Sequence, residues 1–266
     1  MAYTNNATGK TPAHIIYLLD VSGSMAENMP GTNKRKIDVV SDLLEKIAYQ
    51  IYLRNSRGKV VFERYRIAIF AYNNKVIEVT NGDYISAKEF INDGVPEFSD
   101  LGNAQTNTAA AMSAVFNLLS KTVQKMQANY PVPIVCHLTD GQYTEEYGNP
   151  SALMKQILNF DTPDGKVLLE NIYLGDKIFS KPNSNSKEWS GSFNVSEIND
   201  IYAKFLYDHS SVWPERYTDY FKNEYGFNIK PKTRMFFPAE NVDTIELAFT
   251  ASTTTPRGND KIKESA

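Results

Sequence analysis

The stretch HIIYLLDVSGSM, residues 14–25, sets an unbroken apolar run directly against three oxygen-bearing side chains at alternating positions, Asp20, Ser22 and Ser24. Five apolar or aromatic residues in a row after His14, closed by an aspartate and a serine-rich turn, read as a strand buried on both faces. In a regular strand alternate side chains share a face, but a chain that turns after Asp20 can fold all three oxygens towards one point, and Gly23 is the residue expected to permit that turn. Such a cluster is either ordinary turn capping or one side of a site for a hard cation.

Outward from this strand the pattern alternates. Between Lys34 and Arg54 the apolar residues Ile37, Val40, Leu44, Ile47 and Ile51 step by three and four, which places them on one face of a helix. YRIAIFAY (65–72) and KVIEVT (75–80) read as strands joined antiparallel at Asn73-Asn74. A short helix is expected over 86–93 and a longer one over 107–127, started by Ala109–Ala111. PIVCHLTDG (133–141) repeats the opening motif, an apolar run ending in aspartate and glycine. Then come a helix at 150–160 behind Pro150, a strand at 166–176 ending in Gly175-Asp176, helical spacing at 195–208, a final strand at 234–238 and a helix at 241–252 capped by Asn241. The serine-rich stretch 179–192 reads as an exposed loop, and the aromatic-rich stretch 211–233 as a packed excursion.

Strands interleaved with helices imply an α/β fold, a three-layer open sheet that is mostly parallel with one antiparallel edge strand and helices on both faces. A single domain over 13–252 is expected, elaborated at 179–233, with tails at 1–12 and 253–266. The 266 residues, 42% hydrophobic, suffice for one large core. Lys plus Arg number 28 against 31 Asp plus Glu, a net charge of -3 that offers no long-range attraction to nucleic acid. No stretch approaches the roughly 18–20 apolar residues of a membrane span, and no basic-then-apolar leader opens the sequence, so a cytoplasmic location is expected. Cys136, the single cysteine, sits in an apolar run and should pack as a small hydrophobe.

In open α/β sheets, ligands collect beyond the C-terminal strand ends, where Asp20 and Asp140 both fall. Thr106, just before the 107–127 helix, is the third contributor that could reach the same crevice. Carboxylate and hydroxyl oxygens match Mg2+, Mn2+ or Ca2+. ATGKTP (7–12) has the end of a phosphate loop but lacks the earlier glycine and the preceding strand that motif requires. His137, three residues before Asp140, falls on the opposite strand face from it and is expected to be a packing residue. Asp176 could line a partner groove, and Trp189 and Trp213 are either contact anchors or buried aromatics.

DVSGSM at 20–25, Thr106 in QTNTAAAM and Asp140 in LTDGQ together resemble the metal-ion-dependent adhesion site of von Willebrand factor A domains. The resemblance implies an open, mostly parallel sheet carrying a divalent cation, most expectedly Mg2+, held by Asp20, Ser22, Ser24, Thr106 and Asp140. It further implies a protein-binding module that captures an acidic side chain of a partner, assembling or regulating an intracellular bacterial complex. A narrower similarity is to the tellurite-resistance-associated members. The alternative is a metal-dependent phosphoester hydrolase, for which Ser22 and Ser24 show no activating base.

Overall fold

The computed structural model describes residues 3–57, 60–94, 98, 105–175, 178 and 195–257. The strands of its central sheet, in chain order, are β1 (Ala13–Asp20), β4 (Tyr65–Tyr72), β5 (Val76–Glu78), β6 (Ile85–Ser86), β7 (Ile134–Thr139), β10 (Leu168–Leu174) and β11 (Phe236–Ala239). Two minor hairpins supply the remaining strands, β2 (Ser56–Arg57) with β3 (Val60–Val61) and β8 (Asp161–Thr162) with β9 (Gly165–Lys166). The helices are α1 (Lys36–Asn55), α2 (Ala87–Asp93), α3 (Thr108–Val123), α4 (Ser151–Leu158), α5 (Ile201–Asp208), α6 (Glu215–Tyr225) and α7 (Val242–Ser252).

The sheet runs β11-β10-β7-β1-β4-β5, parallel from β11 to β4, so the expected architecture is what forms. Its antiparallel edge is divided between two short pieces. β5 pairs with Phe70–Tyr72 and β6 with Arg66–Ile67, both along the outer side of β4. Alternation along β1 sends Ile15, Tyr17 and Leu19 into a core under α1, α2, α6 and α7, and Ile16 and Leu18 into a second core under α3, α4 and α5. The five apolar positions of α1 named from the sequence are all buried in the first core. A parallel sheet covered on both faces requires strands with no polar side, which is why the central runs read as continuously apolar.

Helix starts follow local chemistry. Ser86 accepts from the Glu89 amide while the Glu89 carboxylate accepts from the Ser86 amide, a reciprocal cap that begins α2. Asn241 accepts from the Thr244 amide at the start of α7, as its position suggested. Trp213 is buried and stacks on Phe221 of α6, so the aromatic excursion is in this part a packing element. Asp176, Trp189 and the loop expected at 179–192 lie outside the described residues.

The segments flanking 13–252 are bound to the domain where they are described. The Asp164 carboxylate accepts from the amides of Thr4 and Asn5 at 2.7 and 3.0 Å. Ala7 bridges to Arg257, and Thr253–Thr255 are buried.

Candidate functional site

Parallel register puts the ends of β4, β1 and β7 at one edge, with Asp20 beside Tyr72 and Leu19 beside Leu138. The chain leaves β1 at Asp20, and a 3-10 turn over Gly23–Ala26 carries Ser22 and Ser24 round. Gly23 is not among the residues with positive φ, so the reversal expected to depend on its freedom is made by an ordinary helical turn. Gly141 does use that freedom. Its φ is +95°, and a Cβ there would strike the Tyr173 ring and come within 2.9 Å of the Tyr202 side chain.

Asp20 is fully buried. Its Oδ1 accepts from the Ser22 amide at 2.9 Å and its Oδ2 from the Thr139 hydroxyl at 2.7 Å. Burial, and next the nearby Asp140, push its pKa up to about 7, against which these hydrogen bonds act. Ser22 and Ser24 hydroxyls lie 3.3 Å apart. Asp140 points one oxygen at Lys36 Nζ, 3.2 Å away, and its other oxygen is buried without a hydrogen-bond partner. Lys36 Nζ also donates to Glu27 at 3.1 Å and to the Ser24 carbonyl at 3.4 Å, so one ammonium joins the first loop to Asp140. Thr106 is buried on a separate loop whose backbone is tied to Thr144 in both directions, at 3.1 and 2.9 Å. The structure thus gathers Asp20, Ser22, Ser24 and Asp140 through shared contacts, and brings Thr106 to the loop that follows Asp140.

Beneath this edge runs a buried polar chain. His137 bonds the Tyr72 hydroxyl at 2.7 Å through Nε2 and the Asn171 side-chain oxygen at 2.8 Å through Nδ1. Burial holds its pKa down near 4, so it is a neutral, fully satisfied core imidazole. His209 bonds Ser151 and the Phe205 carbonyl. Neither histidine is positioned by these contacts to activate Ser22 or Ser24.

The expected cation site is corrected. Among the described residues no group of three or more His, Cys, Asp or Glu forms that could hold a metal ion. The physical reason lies in where the negative charge goes. The two carboxylates of the set are already engaged, Asp20 by Ser22 and Thr139, and Asp140 by the Lys36 ammonium. The complete adhesion site of Asp20, Ser22, Ser24, Thr106 and Asp140, the Mg2+, Mn2+ or Ca2+ ion, and the metal-captured acidic partner therefore do not stand. The metal-dependent hydrolase loses its basis with them.

Lys36, Thr139 and Thr144 are the residues that sequence reasoning passed over. Thr139 was within reach, being the residue before Asp140 in LTDG. Lys36 carried no local signal, since its role depends on where α1 crosses the sheet edge.

The family model for the von Willebrand factor type A domain matches residues 14–162, more than half the chain. No curated relative matches. Among solved structures, the PilB minor pilin from Streptococcus sanguinis superposes with a TM-score of 0.54 at 10% identity, over 90% of this chain and 60% of that one. The chain thus spans about 60% of that pilin's length, and the likeness concerns the fold. An aerotolerance-related membrane protein from Bacteroides fragilis NCTC 9343 is similar at 12% identity over 90% and 98% of the two chains, with a TM-score of 0.47. The narrower likeness to tellurite-resistance-associated members gains nothing from these matches. No helix among the described residues is long and apolar enough to cross a membrane.

Proposed function

The chain belongs to the von Willebrand factor type A domain family, and from that premise we propose that it is a non-catalytic protein-binding module docking its partner, without a bridging metal, on the C-terminal edge of its sheet. The observation that carries this reading is a cross-tied edge with an acidic outer surface. Gln105 bonds Tyr147, Thr106 bonds Thr144, and Asn107 donates its amide to the Asn73 carbonyl, so three loops are held before any partner arrives. Around them Glu27, Glu145 and Glu146 are exposed together with the Lys75 cation, while Lys36 is buried beneath. A partner surface offering Lys or Arg suits that edge, through direct charge pairing that speeds encounter and fixes orientation. A cytoplasmic setting belongs to the same proposal, supported by the single cysteine, Cys136, buried and free.

The test places a photo-crosslinking residue at Gln142 on this edge, and a control probe at Lys222 on α6. Expected is a specific crosslinked partner from Gln142 alone, lost in Glu145→Lys/Glu146→Lys, weakened by salt and unchanged by EDTA. Equal capture from both positions, or capture abolished by EDTA, would sink the proposal.

A further inference from the structure

At the opposite, N-terminal edge of the sheet, a cavity of about 450 Å³ opens between the starts of β1 and β4 and the end of α3. That volume falls in the range of small-molecule sites. Its lining includes Lys10, Arg66, Lys121 and Lys125 against one acid, Asp83. None of the four cations forms an ion pair among the described residues. In a chain of net charge -3 this is a local reversal of sign. His14 and Arg66 are register partners on adjacent strands, which sets an imidazole and a half-buried guanidinium side by side in the wall.

His14 supplies an independent observation. Its ring makes an edge contact with Tyr84 at 4.7 Å and stacks with Tyr130 at 6.1 Å, yet its Nδ1 is buried with no hydrogen-bond partner. A buried ring nitrogen without a partner is costly, and an incoming oxygen would relieve it. Burial, and next the neighbouring Arg66, hold this imidazole's pKa down near 4. Lys121 and Lys125 also complement the C-terminal dipole of α3. That role does not account for Lys10 or Arg66, which belong to other segments. Lys10 comes from the ATGKTP stretch, which makes no phosphate loop but contributes Gly9 and Lys10 to the cavity lining.

We propose that this cavity binds a small, multiply charged phosphorylated anion, with Arg66, Lys10, Lys121 and Lys125 facing its oxygens and His14 at its base. Guanidinium and ammonium groups favour phosphoryl oxygens through charge-assisted hydrogen bonds, and four of them match an anion carrying several charges. The anion comes either from a soluble phosphorylated molecule or from a lipid headgroup.

The test is calorimetric titration of the full chain with tripolyphosphate and with ATP, alongside co-sedimentation with phosphatidylcholine vesicles with and without phosphatidic acid. Expected is saturable 1:1 binding that weakens at least about tenfold in Lys121→Glu/Lys125→Glu and in Arg66→Gln, and is unchanged in Lys222→Glu. The His14 ring signals should move on titration. Binding confined to phosphatidic-acid vesicles with the same mutational pattern supports the proposal and assigns the anion to lipid. No saturable binding to any probe, or an equal loss in Lys222→Glu, overturns it; because Lys121 and Lys125 are exposed, their variant remains a fair test if Arg66→Gln fails to fold.

Discussion

Lys36 places a buried ammonium against Asp140 with under a tenth of either side chain exposed, and that pairing is what the charge at the sheet edge rests on. Removing one member of a buried pair strands the other and costs about 3–5 kcal/mol, whereas replacing both by neutral groups costs far less. Lys36→Met is therefore expected to lose about 3 kcal/mol in urea denaturation, and Lys36→Met/Asp140→Asn to recover most of it. A double variant as unstable as the single one would show that the two groups do not compensate each other. Asp20 and Asp140 were legible because each closes an apolar run. Their partner was not, because Lys36 is 104 positions from Asp140 in the chain and no local pattern joins them.

At the scale of elements, β10 carries the clearest conflict between pattern and chemistry. Glu170 stands in a row with Tyr17 and Cys136, fully buried, and neither carboxylate oxygen has a hydrogen-bond partner. Burial raises its pKa well above 4.5, so the folded state favours the neutral acid. Stability from this group is full below the unfolded pKa and is lost as pH rises towards the folded one. Glu170→Gln should thus melt close to wild type near about pH 4 and higher than wild type at about pH 8, by about 2–4 °C for each kcal/mol gained. A melting difference that is the same at both pH values would contradict the assignment. The strand itself was readable from KVLLENIYLGD, because its six apolar or aromatic residues outweigh Glu170 in setting burial. That Glu170 turns inward was not, since in a strand covered on both faces alternation no longer tells buried from exposed.

For the whole molecule, the described residues outside 13–252 take part in the fold. Asp164, almost fully buried beside the β8–β9 hairpin, receives the amides of Thr4 and Asn5 and the Thr4 hydroxyl, and so clamps the N-terminal segment. Asp164→Ala is expected to cost about 1–3 kcal/mol, since hydrogen bonds to a charged acceptor are lost and backbone donors are left unmet. Limited proteolysis should then cut within residues 3–12 well before the domain unfolds. Unchanged protection of that segment would mean that its other ties, Asn5 to the Ala128 and Tyr130 carbonyls, Arg216 to Asn6 and Ala7 to Arg257, hold it without the Asp164 carboxylate. Polar composition made both flanks look like tails, because backbone hydrogen bonding and short threonine side chains can be buried without an apolar signature.

The sequence by itself determined the alternation of elements, the two-sided burial of the strands, the antiparallel edge after Tyr72 and the meeting of Asp20 with Asp140 at one end of the sheet. Those features follow from periodicity, which is local and which burial alone enforces. Only the tertiary structure decided how that end is engaged, Asp140 by the Lys36 ammonium and Asp20 by the Thr139 hydroxyl, and that four cations without an ion pair among the described residues line a cavity with His14 at the other end. Both are matters of charge compensation between distant segments, and spacing along a chain carries no record of which groups will face each other across a folded sheet.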